Sequence, residues 1–184
     1  MAQGSSIFFL VGPRGSGKTS LGKLLSERLG VPFTDTDALV VSRAGEEIAD
    51  LVAREGWPAF RALESAVLAR LCGKGGRGVG EESGMVVATG GGMVLATENR
   101  QRMRESGTVF YLKASPATLA ARLDKNPLPG QRPALTDKTP EEEMREVLLE
   151  REPLYLECAD LVVSSEFSLE EMVTRVVSYL ELNP

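Results

Sequence analysis

No histidine occurs among the 184 residues, and the only two cysteines, Cys72 and Cys158, lie far apart. The missing imidazole removes any Ser-His-Asp triad or histidine base. Two separated cysteines support neither a disulfide framework nor a zinc site, so both are expected to be inert thiols. Long apolar runs are absent too. The N-terminal stretch Ile7 to Val11 is short and follows no basic leader, which argues against a signal peptide or membrane span there and leads us to expect a cytoplasmic protein. There is no basic excess either: 21 Lys and Arg face 26 Asp and Glu for a net charge of −5, which disfavours nucleic acid as a partner and leaves room only for local arginine pockets. A chain of this length that is 42% hydrophobic and 26% charged can bury one core rather than two. We expect a single domain over residues 1–184, acting as a monomer.

What the chain does have is a phosphate loop. Gly12-Pro13-Arg14-Gly15-Ser16-Gly17-Lys18-Thr19 fills the pattern G-x-x-x-x-G-K-[ST] directly after the apolar run Ile7 to Val11. The glycines free the backbone of Cβ atoms, so that consecutive N–H groups can turn inward around phosphate oxygens at the start of a helix. Lys18 adds a point charge and Thr19 a ligand for Mg²⁺. Gly12, Gly15, Ser16, Gly17, Lys18, Thr19 and Ser20 are the candidate triphosphate-binding residues.

Apolar strand-like runs at 6–11, 32–35, 85–89, 108–113 and 160–164 alternate with helical patterns, the signature of a parallel sheet covered by helices on both faces. Leu21, Leu24, Leu25 and Leu29 repeat at helical spacing before a stop at Gly30. A second helical region runs from about Asp37 to Leu71, with interruptions near Gly45 and at Gly56 to Pro58. Thr139 with Glu142 and Ser168 with Glu171 form capping boxes at two further helix starts. Residues 73–84 hold six glycines and almost no apolar side chain, and read as a flexible surface loop without assigned chemistry. Residues 125–138, rich in proline and charge between two helices, have the composition of a mobile lid.

A phosphate loop alone suits kinases, GTPases, ATPases and passive switches. The Asn-Lys-x-Asp motif of base-reading GTPases does not occur. Instead Asp35-Thr36-Asp37 stands at the end of the second strand, where side chains project into the crevice outside the carboxyl ends of a parallel sheet. Two carboxylates there are within reach of Mg²⁺ and of an acceptor hydroxyl, although either can equally cap the next helix.

Four more pieces accompany the loop and the paired acids: Phe60-Arg61 with Glu64, Gly90-Gly91-Gly92 after the third strand, Arg132-Pro133-Ala134-Leu135, and Arg151-Glu152-Pro153-Leu154-Tyr155. In this order the chain resembles the shikimate kinases over nearly its whole length. The resemblance implies a P-loop fold like that of the nucleoside monophosphate kinases, an α/β three-layer sandwich. Its five-stranded parallel sheet has the order 2-3-1-4-5, with a substrate-binding region at about 35–64 and a lid at about 125–138. It also implies transfer of the γ-phosphoryl of ATP, with Mg²⁺, to the 3-hydroxyl of shikimate. By the same resemblance Arg61 and Arg151 hold the acid's carboxylate and Asp37 orients or deprotonates the attacking hydroxyl. Asp35 lies nearer the Mg²⁺ water shell, Gly90, Gly91 and Gly92 approach the ring, and Arg132 swings from the lid onto the transferring phosphate. The adenine-stacking role falls on Arg122, with Lys125 as the alternative because the interval to Arg132 is long. The competing readings are another small-metabolite kinase such as a gluconate kinase, and a non-catalytic nucleotide switch.

Overall fold

The computed structural model describes residues 7–73, 84–125 and 139–183. Five strands, β1 (Ile7–Val11), β2 (Phe33–Asp35), β3 (Met85–Ala88), β4 (Gly107–Lys113) and β5 (Leu161–Ser164), form one sheet of order β2-β3-β1-β4-β5. Every pairing is parallel, with Phe9 opposite Val87 on one side and Val109 on the other. Each strand end lies within one residue of its expected position, except that residue 6 is outside the described set.

The central strand reads as a continuous apolar run because both of its faces are covered. Side chains alternate, so Ile7, Phe9 and Val11 enter one core while Leu10 enters the other. The first core is closed by α2 (Thr36–Ala44), α3 (Ile48–Cys72), α4 (Thr97–Ser106) and α6 (Pro140–Cys158), through Val40, Leu68, Met103 and Tyr155. The second is closed by α1 (Lys18–Leu29) and α7 (Leu169–Leu182), through Leu21, Leu25, Met172, Val173 and Val176. A small third cluster of Leu119, Met144, Val147 and Leu148 binds α5 (Pro116–Lys125) to α6.

The expected helical region after β2 is two helices, broken at Gly45 and kinked inside α3 at Gly56, where φ is 82°. Burial pushes the Cys158 thiol up to about 11, which keeps it protonated and unreactive at neutral pH. Among the described residues no helix is long and apolar enough to cross a membrane. The glycine-rich segment lies outside the described residues apart from its two ends, and so does the expected lid apart from Lys125.

Both capping boxes form. At α7 the Ser168 hydroxyl accepts from Glu171 N–H at 3.3 Å while the Glu171 carboxylate accepts from Ser168 N–H at 2.9 Å. Hydrogen bonds from the Ser168 hydroxyl and amide hold the Glu171 carboxyl below its usual value of 4.5. A lowered carboxyl favours the native state above its unfolded value and loses that contribution as pH falls through the folded one. Ser168→Ala removes the cap and should lower the urea midpoint at neutral pH, and the gap from wild type should narrow once the pH drops below the ordinary carboxyl range.

Candidate active site

The loop between β1 and α1 has the form a bound phosphate requires. Gly12 has φ of 147°, and a Cβ there would stand 2.7 Å from the Leu112 carbonyl oxygen, so no other residue fits. At the start of α1 Gly17 supplies no side-chain cap and the first turn carries no acid. By contrast, α2, α6 and α7 have their leading amides satisfied by Asp35, Thr139 and Ser168. α3 and α4 also start without a side-chain cap, so what makes the start of α1 the candidate anion site is its place after the glycine loop at the carboxyl edge of the sheet. Lys18 Nζ donates to the Gly12 and Pro13 carbonyls at 2.9 and 2.8 Å, arching its ammonium across the loop beside the buried Ser16, whose Oγ is 3.4 Å away. Ser20 lies exposed in the same first turn.

On the flank of the loop, α5 carries Arg122, whose guanidinium donates to Gly15 O at 3.3 Å, Ser165 Oγ at 3.1 Å and Ser165 O at 2.5 Å. Lys125, the alternative base-stacking residue, is exposed at the last position of α5. Next to Ser165, Glu166 accepts from the Ser115 amide and the Thr118 hydroxyl at 3.4 and 3.2 Å. These bonds, led by the Ser115 amide, hold its carboxyl below the usual range and join the ends of β4 and β5.

Asp35 does two things at once. Its Oδ1 accepts from the Asp37 amide at 2.9 Å and caps α2, while its Oδ2 accepts from Thr19 Oγ1, also at 2.9 Å. The cap of α2 and the contact with Thr19 therefore fall on different oxygens of one carboxylate. A hydroxyl and a carboxylate oxygen side by side at the mouth of the loop are hard donors of the kind Mg²⁺ takes, since that ion keeps several waters and uses few protein ligands beside phosphate oxygens. The residues present fit the ion. Asp37 follows in the first turn of α2, half-buried.

Across the crevice, Arg61 projects from α3. Its Nη1 donates to Glu64 Oε2 at 2.6 Å, and the Glu64 side chain is only 1% exposed, so the pair is shielded from water on the carboxylate side. The guanidinium stands 5.3 Å from the Trp57 ring centre and 5.0 Å from that of Phe60, in cation–π range of both. It also lies directly on Gly92: a Cβ at that position would meet Arg61 Nη1 at 2.2 Å. Gly90 N–H donates to the buried Thr36 hydroxyl at 2.8 Å, and the Tyr155 hydroxyl donates to Gly91 O at 2.5 Å. Arg151 sits one turn before Tyr155 on α6, 9% exposed, with its Nε 3.4 Å from Glu150.

A family model described as shikimate kinase matches residues 14–181. The chain belongs to the shikimate kinase family. Shikimate kinase 2 of Photorhabdus laumondii is 45% identical over 172 residues, 94% of each chain. Shikimate kinase of Oleidesulfovibrio alaskensis is 48% identical over 157 residues, covering 85% of this chain and 87% of that one. Among solved structures, shikimate kinase from Acinetobacter baumannii in complex with shikimate superposes with a TM-score of 0.85 at 30% identity, over 98% of this chain and 96% of the other.

In this member of the shikimate kinase family the fold joins expected residues at three places along the carboxyl edge of the sheet. Thr19 meets Asp35, Arg122 meets the phosphate loop, and Arg61 meets Gly92. Arg132 lies outside the described residues. Sequence reasoning does not single out Thr36, Tyr155 or Ser165 as site residues, although Thr36 stands between the two acids and Ser165 directly follows β5 at the carboxyl edge, which is a usable signal. A separate depression of about 920 Å³ between α6, β5 and the start of α7 is lined by Leu148, Leu149, Leu156, Val162 and Phe167. Its charges are already engaged, Lys113 with Glu152 at 2.8 Å and Arg175 over Phe167 at 4.2 Å, and it includes no residue of the phosphate loop or glycine segment.

Gly92→Ala tests the close approach. The obstructed group is the tip of a flexible side chain, so the fold should survive with a change of less than about 1 kcal/mol in urea unfolding, while Arg61 is displaced. Steady-state kinetics should then show KM for the acid acceptor raised about tenfold or more, with KM for ATP unchanged.

Proposed function

We propose that this chain transfers the γ-phosphoryl group of ATP to the 3-hydroxyl of shikimate, giving ADP and shikimate 3-phosphate. The observation that carries the reading is the Arg61 guanidinium, held by a buried carboxylate and two aromatic rings and laid against a side-chain-free segment at the same sheet edge as the phosphate loop. Shikimate is a small ring with one carboxylate and three hydroxyls. Such an acceptor calls for planar guanidinium forks at the acid and oxygen acceptors at the alcohols, and Arg61, Arg151 and Asp37 are of those kinds.

In this reading the loop amides and Lys18 hold the β- and γ-phosphates, and Arg122 flanks the adenine. Thr19 and Asp35 would hold a Mg²⁺ ion, whose chemistry there is the neutralisation of phosphate charge. Asp37 orients the attacking hydroxyl and accepts its proton as the oxygen–phosphorus bond forms and ADP leaves. The transition state of phosphoryl transfer is loose, so an ordinary carboxylate suffices and no histidine is required. Arg132, which lies outside the described residues, would neutralise the transferring group. The reading keeps residues 1–184 as one kinase domain, with 35–64 covering the acid. It keeps the protein a cytoplasmic monomer that binds neither nucleic acid nor membrane, in line with its net charge of −5.

A coupled ADP-release assay over a panel of acids should show turnover with shikimate and none with gluconate; the reverse pattern overturns the proposal. Lys18→Ala and Arg132→Ala should each lower kcat by about 10²- to 10³-fold. Arg61→Lys should instead raise KM for shikimate with little change in kcat, because a bidentate fork becomes a point charge.

A further inference from the structure

We infer that the hydroxyls of Thr36 and Tyr155 are positioning groups for the acid-binding half of the site, fixing the Gly90–Gly92 segment on which the Arg61 guanidinium rests. The inference rests on the shikimate reading for its substrate and on geometry for its residues.

Three consecutive residues without side chains cannot anchor themselves by packing, so their place depends on what grips the backbone. Besides the local bonds from Met93 N–H to Gly90 O and from Leu95 N–H to Gly92 O, both 3.0 Å, three other elements grip it, one at each residue. Thr36, at the start of α2, accepts from the Gly90 amide at 2.8 Å. Tyr155, on α6, donates to the Gly91 carbonyl at 2.5 Å. Arg61, on α3, covers the face of Gly92. Both hydroxyl-bearing side chains are 0% exposed, so neither bond competes with water.

Tyr155 is itself braced. Its ring stacks on Tyr111 of β4 with centres 5.0 Å apart and planes 19° from parallel. The Tyr111 hydroxyl in turn lies 3.4 Å from Glu152, which pairs with Lys113. Burial, followed by the nearby Glu152 charge, raises the Tyr111 phenol above its ordinary range, so the stacked ring stays neutral. Because Arg151 precedes Tyr155 by one helical turn, the bond to Gly91 also fixes the stretch of α6 that carries the second guanidinium. Both arginines proposed for the carboxylate are thereby referred to one short backbone segment. Thr36 lies between Asp35 and Asp37, so the same segment is tied to the start of the helix that carries Asp37. The hydroxyls need touch no substrate to matter: a segment that drifts carries the guanidinium away from the acid.

The test uses the full chain with Tyr155→Phe, Thr36→Val and Thr36→Ser. Shikimate binding can be followed without turnover by the emission of Trp57, the chain's single tryptophan, which stands 5.3 Å from the Arg61 guanidinium. Tyr155→Phe and Thr36→Val should each weaken shikimate binding and raise its KM about tenfold, the size expected for one lost buried hydrogen bond. KM for ATP and kcat should stay within about twofold of wild type, and Thr36→Ser should restore wild-type binding. Hydrogen exchange at the Gly90 amide should quicken about tenfold in Thr36→Val, whatever the acceptor. A merely structural role predicts otherwise: melting temperatures fall while shikimate binding is unchanged, or the KM values for ATP and shikimate rise together, and either result overturns the inference. So does a Tyr155→Phe protein that fails to fold, because a positioning hydroxyl should leave the core standing. Wild-type protein that turns over another acid but not shikimate would instead sink the substrate assignment, and unchanged exchange at Gly90 would then dispose of the positioning role separately.

Discussion

The parallel direction of all five strands is the constraint on which the rest depends. It places every strand's carboxyl end on one edge of the sheet, so that the phosphate loop, Asp35, the glycine segment, Ser115 and Ser165 all emerge on the same side. Reversing any one strand would carry its contribution to the far edge, roughly the length of a strand away. The central position of β1, between β3 and β4, puts the phosphate loop in the middle of that edge, with the proposed acid-binding half on one flank and Arg122 on the other. Helices on both faces make the arrangement rigid, because a strand buried on two sides can slip in register only by exposing one of its apolar sets.

On this frame the charges are placed in pairs rather than singly. Arg61 is held by Glu64, and Asp35 is divided between the α2 amide and the Thr19 hydroxyl. A guanidinium presents five N–H donors in one plane, so in the proposed reading Arg61 can keep its bond to Glu64 and still turn a second donor edge to an incoming carboxylate. The buried partner and the two aromatic rings hold that plane before the ligand arrives, which lowers the ordering cost of binding. A lysine at the same place would carry the charge without the plane. The proposed phosphate side would work by a different device, with backbone amides at a helix start that has no side-chain cap and the Lys18 ammonium arched across the loop.

Much of this was legible before folding, for local reasons. The phosphate loop is a contiguous pattern whose glycines have only a few uses, and strand positions in a two-sided sheet announce themselves as apolar runs between turn signals. The capping boxes at Thr139 and Ser168 formed as read because both partners lie within one turn. Thr36 and Tyr155 each fall inside a motif, Asp35-Thr36-Asp37 and Arg151 to Tyr155, but nothing local says which backbone group either hydroxyl meets. Their partners, Gly90 and Gly91, are 54 and 64 residues away in the chain. Arg122 was singled out by resemblance, but its bonds to Gly15 and Ser165 join three separate elements and follow from no spacing.

By itself the sequence determined the phosphate-loop pattern, the alternation of strands and helices, and the supply of arginines and acids, since each of these depends on neighbours in the chain. The tertiary structure alone decided which arginine lies against which glycine, which oxygen of Asp35 caps a helix and which meets Thr19, and which hydroxyls hold the glycine segment. Those contacts form between elements brought together by burial of the sheet's two faces. The apolar area that drives that burial is not directional, so the polar partners it brings into register cannot be read one segment at a time.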